Sequence, residues 1–177
     1  NSNSQYAALG VRAAMEAGCD IQVEVLKRAK DWWEREQNDD GGWNYGEKGA
    51  ESFGSMTTGG VGCLAIYKFF LRENFKNDPR VLNGVRWMAK NFTVSDNPGD
   101  PDRSWNRHYY YLYAMERVGG LVGVDKIGAH EWYPEGATYL LEKQRPEGHW
   151  QGDKPGSNPV IDTCYAILFL RKATKAL

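Results

Sequence analysis

Gln37 to Trp43 reads QNDDGGW and Gln144 to Trp150 reads QRPEGHW, so both stretches share the pattern Q-x-x-x-G-x-W. Each closes an amphipathic stretch and is followed by a polar, Gly-rich loop and then an apolar stretch. Two copies of one motif in one context point to a repeat architecture. The motif also has a local physical logic. Gly41 and Gly148 permit a tight turn after a helix. Gln37 and Gln144 offer side-chain amides to backbone groups left open at neighbouring helix ends. Trp43 and Trp150 are large apolar plates able to tie adjacent hairpins together. These six residues are therefore expected to be structural rather than catalytic.

Outward from the motifs, the chain alternates between two kinds of stretch. One kind has a wet face. From Asp20, the expected N-cap, Val25, Leu26, Ala29, Trp32 and Trp33 fall on one side, with Lys27, Arg28, Lys30 and Glu34 on the other. Asp78-Pro79 is a helix start, a capping residue followed by proline at the first helical position, and Val81, Val85, Met88 and Phe92 repeat at helical spacing behind it. A third stretch runs from about Glu131, with Tyr133, Ala137, Leu140 and Leu141 as its stripe.

The other kind is apolar nearly all round: Tyr6 to Ala17, Thr58 to Leu71, His108 to Val118 and Ile161 to Ala173, the last preceded by another cap-plus-proline start at Asn158-Pro159. A helix with little polar face must be covered on more than one side. The expected order is buried, amphipathic, buried, amphipathic, buried, amphipathic, buried, with the buried helices inside and the amphipathic ones around them. No strand pattern of useful length competes. Thr93 to Ser104 and Gly119 to Ala129 read as irregular insertions, the first standing where another motif copy would be and ending in Trp105 without the Gln.

The twin motifs on alternating helices resemble those of the prenyltransferase and squalene-cyclase (terpenoid cyclase) repeat superfamily. The resemblance covers nearly the whole chain, although the middle repeat lacks the motif. It implies an all-α fold, a partial α/α toroid: a double ring of about seven helices in hairpins of roughly 50 residues around an aromatic-lined cavity. It implies an isoprenoid-handling role with an isoprenoid or other apolar small molecule as partner. Complete toroids carry more hairpins than this chain, so residues 1–177 are expected to be one partial domain cut from a longer protein. The ring would then be closed by the remaining hairpins of the parent chain or by a second copy.

The resemblance extends to VIDTCYA, Val160 to Ala166, which is similar to the zinc-binding segment of protein prenyltransferase β subunits. By that likeness Asp162 and Cys164 would be zinc ligands and Tyr165 a substrate contact. A mixed thiolate, carboxylate and imidazole set suits zinc. The family's third ligand, a His on a following inner helix, has no counterpart here, and His108 is the substitute candidate. Gly156 and Pro159 stand where the family carries basic residues. The competing reading is an Asp capping a helix, with Cys and Tyr packed in the core. The D-x-D-D acid of the cyclases is absent: Asp39-Asp40 reads as turn chemistry and Asp100-x-Asp102 as a solvated loop.

Tyr109, Tyr110, Tyr111 and Tyr113, with Trp105 and His108, form an aromatic cluster. On a helix residues 109 and 113 share a face, so Tyr109, Tyr110, Tyr113, Tyr165 and Trp105 are the candidate walls of a substrate cavity. Packing between helices is the alternative. A third functional class, a carbohydrate-active toroid, would draw on Asp102 and Glu131 only because they flank insertions. A non-catalytic repeat scaffold binding protein or carbohydrate is the main alternative to the isoprenoid reading.

Composition narrows the field. Net charge is −1, which gives no electrostatic case for nucleic acid. Seven Trp and ten Tyr require large flat surfaces to be covered. The longest apolar runs fall short of the ~20 residues a membrane span needs. Cys19, Cys63 and Cys164 fit no disulfide framework, and Cys19 and Cys63 are expected to be buried small hydrophobes. His130 and His149 lie in polar loops and are expected to be exposed.

Overall fold

The computed structural model describes residues 2–46, 48–99, 107–153, 157–172 and 174–177. Among these residues the chain is all-helical, with seven α-helices and no strand beyond two isolated bridges. The helices are α1 (Ser2–Glu16), α2 (Val23–Arg35), α3 (Gly54–Phe70), α4 (Pro79–Lys90), α5 (His108–Val122), α6 (Trp132–Lys143) and α7 (Pro159–Leu170), with a short 3-10 turn at Phe75–Asn77. The two cap-plus-proline starts behave as expected. Asp78 accepts from the amides of Arg80 and Val81, and Asn158 from those of Val160 and Ile161. The α2 start does not. That helix begins after Gln22, and Asp20 lies outside it.

Helix α3 is the hub, packed against α1, α2, α4 and α5, while α5 also meets α6 and α7. The apolar helices α1, α3, α5 and α7 thus pack in succession, with α2 and α4 against α3 and α6 against α5 and α7. Residues Gly54 to Lys68 of α3 are all buried, and so is nearly all of α5. Glycines in α3 let its neighbours approach. A Cβ on Gly59 would lie 2.0 Å from the Gln5 amide, and one on Gly60 would lie 2.4 Å from the Trp43 ring. A glycine inside a helix costs about 1 kcal/mol. Burying an indole of roughly 200 Å² at ~25 cal/mol per Å² contributes about 5 kcal/mol, so the close approach wins.

The sheathing expected of all four apolar helices holds for α3 and α5 only. In α1 just Gln5 and Ala8 are buried and Tyr6 is 43% exposed; in α7, Ile161 is 51% and Ile167 46% exposed. These two helices stand at the ends of the succession, each with neighbours on fewer sides, so their all-round apolar pattern is only half used. Val25 and Leu141, expected on buried stripes, face solvent, whereas Trp87 and Trp132 are buried. Helix α5 runs on through Gly119 to Val122, into the stretch expected to be irregular, and the bare Gly119 makes room for the Trp132 ring. Cys63 is buried as expected; Cys19 and Cys164 are exposed. His130 is partly covered by the Phe92 ring, stacked on it at 4.1 Å, and His149 is half-buried.

The two motif copies make the same bonds. Gln37 Nε2 donates to the Gly41 carbonyl at 2.8 Å, and Gln144 Nε2 to the Gly148 carbonyl at 3.0 Å. The Trp43 indole donates to the Trp33 carbonyl at 2.9 Å, and that of Trp150 to the Leu140 carbonyl at 2.7 Å. The backbone amides of Trp43 and Trp150 donate to Thr57 and Thr163 at the start of the next apolar helix. Gly41 and Gly148 take φ of +91° and +87°, the left-handed region that favours glycine. Asp40 serves the first turn, accepting from the Gly42 amide, the Ser52 hydroxyl and the Trp87 indole. The copies also differ in what their glutamines reach. Gln37 also donates to the Arg80 carbonyl of α4 at 2.8 Å and is buried, while Gln144 is exposed.

Candidate functional site

The first and last apolar helices, α1 and α7, touch through side-chain hydrogen bonds. The Tyr6 hydroxyl of α1 lies 2.9 Å from the Tyr165 hydroxyl of α7, and the Arg12 guanidinium donates to the Lys175 carbonyl at 3.0 Å. Beside this junction a cleft of about 430 Å³ opens at the N-terminal ends of α1, α5 and α7. Its walls include Tyr6, Arg107, Tyr110, Ile161, Asp162 and Tyr165.

The cap at Asn158-Pro159 fixes where α7 begins and hence which of its side chains face the cleft. Residues 161, 162 and 165 lie within one turn of each other, so Ile161, Asp162 and Tyr165 present a common face. Tyr110 is held from behind, where its hydroxyl donates to Gln5 Oε1 at 2.7 Å. Ring contacts knit the wall: Tyr6 stacks on Tyr110 at 6.3 Å, Tyr110 lies 5.5 Å from Tyr165, and Tyr113 stacks on Tyr165 at 5.5 Å. Burial pushes the Tyr6 and Tyr110 phenols well above their ordinary value, so both stay protonated and can donate.

A second, more polar cavity of about 230 Å³ lies on the far side of Asp162. Asp96, His108, Tyr109, Tyr139, Lys143 and Arg145 contribute to it. Burial holds the His108 imidazole below its ordinary pKa, against the Val94 carbonyl and the carboxylates of Asp96 and Asp162, which pull the other way. Burial pushes Tyr109 up to about 12. Asp162 shares the wall between the two cavities, its Oδ2 accepting from the Gly152 amide at 3.0 Å and the Ser157 hydroxyl at 2.5 Å. This is loop-capping work in the first turn of α7.

Of the expected cavity residues, Tyr110 and Tyr165 line the large cleft, Tyr113 stands behind Tyr165, and Tyr109 faces the second cavity. Tyr111 is fully buried in helix packing. Trp105 and Asp102 lie outside the described residues. The zinc candidates are not brought together. His108 and Asp162 share a cavity, but His108 Nε2 is 2.7 Å from the Val94 carbonyl, and Cys164 is exposed and lines neither cavity. Among the described residues no three His, Cys, Asp or Glu side chains form a metal-holding group. These residues do not fit the zinc set that the motif implied. Glu131 is exposed, its side chain making no cap to α6.

Sequence reasoning missed Gln5, Tyr6 and Arg117. Arg117 is 5% exposed, and its guanidinium sits over the rings of Tyr113 at 4.5 Å, Tyr6 at 5.7 Å and Tyr110 at 5.9 Å. Glu116-Arg117 in the middle of an otherwise apolar helix was the available signal. Set against known protein families, characterised proteins and solved structures, the chain matches none.

Proposed function

We propose that this chain is a segment of an α/α-toroid domain of the terpenoid-cyclase type, and that it holds an isoprenoid or similar elongated apolar molecule in the tyrosine-walled cleft. The observation that carries the reading is that cleft. Its volume of about 430 Å³ lies within the ~300–1,000 Å³ usual for small-molecule pockets. Tyr6, Tyr110, Tyr165 and Ile161 give it apolar surface, and Arg107, Ser157, Asn158 and Asp162 add polar groups. Ring faces suit an unsaturated chain. The twin motifs and the helix packing support the toroid part. The reading assigns binding and leaves a reaction unassigned.

A second reading, a rim-binding scaffold for carbohydrate, is favoured by the 230 Å³ cavity, where Tyr109 and Tyr139 stand beside Asp96, Lys143 and Arg145. Calorimetric titration with farnesyl diphosphate, geranylgeraniol, squalene and a panel of oligosaccharides separates the two. We expect isoprenoid binding that weakens about tenfold or more in Tyr165→Ala, as for truncation of a buried aromatic anchor. Absence of isoprenoid binding, or equal affinity in that variant, would overturn the first reading. Sugar binding lost in Tyr139→Ala would establish the second.

A further inference from the structure

The tyrosine cleft and the polar cavity beside it have an edge in common. Ser157 and Asp162 line both spaces, and the Ser157 hydroxyl donates to Asp162 Oδ2 at 2.5 Å. One hydrogen-bonded pair at the start of α7 is thus the rim shared by a cleft of about 430 Å³ and a cavity of about 230 Å³. The rim is braced from the motif side, where the Gly152 amide donates to the same Oδ2 at 3.0 Å. Asp162 Oδ1 has no hydrogen-bond partner among the described residues.

The two spaces differ in chemistry. Tyr6, Tyr110, Tyr165 and Ile161 border the cleft, whereas the cavity sets the carboxylates of Asp96, Asp153 and Asp162 beside the cations of Lys143 and Arg145. A head group of either charge meets like charge in the cavity, which is costly. A neutral head rich in hydroxyls uses both kinds of group, donating to the carboxylates and accepting from Lys143 and Arg145. His108 adds an acceptor. Its Nε2 stands 2.7 Å from the Val94 carbonyl, which can only accept, so Nε2 carries the proton and the neutral ring that burial favours leaves Nδ1 bare. The His108 ring lies 5.2 Å from those of Tyr109 and Tyr139, and such rings offer flat faces to the C–H side of a sugar.

We propose that the two spaces are subsites of one elongated site, and that its ligand is a neutral glycoside of an isoprenoid or similar apolar alcohol. The chain lies in the tyrosine cleft, a single sugar ring fills the polar cavity, and the glycosidic linkage crosses the rim at Ser157 and Asp162. This rests on the isoprenoid reading of the cleft and adds to it a head group held in the cavity. Joining the two halves in one molecule makes the second contact intramolecular, so two weak subsites give one firm site.

The test is calorimetric titration of the whole chain with farnesol, farnesyl β-glucoside, methyl β-glucoside and farnesyl diphosphate. We expect the farnesyl glucoside to bind at least about tenfold more tightly than farnesol or methyl β-glucoside. That advantage over farnesol should disappear in Tyr139→Ala and in Ser95→Trp, which sets an indole into the cavity from an exposed position. Farnesol binding with no advantage for its glucoside, or an advantage that survives both variants, overturns the proposal and leaves the cleft reading standing. So does methyl β-glucoside binding as tightly as the farnesyl glucoside, which would mean two unconnected sites. A farnesyl diphosphate advantage lost in the same variants would put an anionic head in the cavity and also overturns it. Binding of none of the three farnesyl compounds overturns the cleft reading together with this one. Should Tyr139→Ala fail to fold, Ser95→Trp decides alone.

Discussion

Gly41 and Gly148 occupy the same place in two copies of one motif and the same region of backbone space, with φ of +91° and +87°. Their surroundings differ. A Cβ at Gly41 would stand 2.8 Å from the Asn83 carbonyl oxygen and 3.1 Å from its carbon, both backbone atoms of α4. A Cβ at Gly148 would meet nothing within 4 Å. Replacing either glycine by alanine costs about 1–2 kcal/mol for a left-handed L-residue, offset by up to ~1 kcal/mol from the less flexible unfolded chain. At Gly41 the added methyl must also displace a helix backbone, at about 1–3 kcal/mol. The expected losses are therefore about 1 kcal/mol for Gly148→Ala and about 3 kcal/mol for Gly41→Ala. Urea unfolding followed by far-UV circular dichroism, with equal slopes required of both variants, measures the difference directly. At this chain length a gap of 2 kcal/mol also separates the two Tm values by about 4–8 °C. Equal losses, within about 0.5 kcal/mol, would refute the claim that the first turn is wedged against α4 while the second stands free.

The glutamines of the motif should follow the same asymmetry. Gln37→Ala removes two buried bonds, to the carbonyls of Gly41 and Arg80, and should cost about 2–3 kcal/mol, whereas Gln144→Ala should cost less than ~1 kcal/mol in the same assay. Glu116 is titrated upward by burial, against Thr174 and Arg117, so its folded pKa exceeds the unfolded value near 4.5. Its contribution is then fully present below pH 4.5 and is lost as pH rises through the folded pKa; Glu116→Gln should flatten the decline in stability as pH rises above 4.5. Lys68, only 4% exposed, meets Glu34, Glu73 and Asp78 from within α3. Lys68→Ala should cost about 2–3 kcal/mol by chemical denaturation, below the ~3–5 kcal/mol of a fully buried pair because its partners are partly solvated.

What the sequence disclosed is what short-range physics controls. The capping pairs Asp78-Pro79 and Asn158-Pro159 act within three residues, and the motif bonds from Gln37 to Gly41 and from Gln144 to Gly148 within four. The buried state of α3 and α5 was legible because nothing polar interrupts most of their length and neighbours exist on every side. The same pattern in α1 and α7 misled, because periodicity tells which helices can be covered and says nothing of whether a neighbour is present to cover them. Thr57 and Thr163 were within reach: each follows its motif Trp by almost the same interval, 14 and 13 residues, and a longer comparison of the two copies would have exposed them.

The tyrosine wall shows where that reach stops. Tyr109 to Tyr113 announced a cluster, but which rings face a cavity is decided by contacts 105 residues away at Gln5 and 159 residues apart at Tyr6 and Tyr165. Arg117 gives the same lesson with a charge. In sequence it is one of an adjacent acid–base pair, Glu116-Arg117, and neighbours on a helix point about 100° apart, so the two make no direct ion pair. Each must find its partner elsewhere. Glu116 finds Thr174; Arg117 finds three rings and half of one amide oxygen, and among the described residues its Nη1 has no partner.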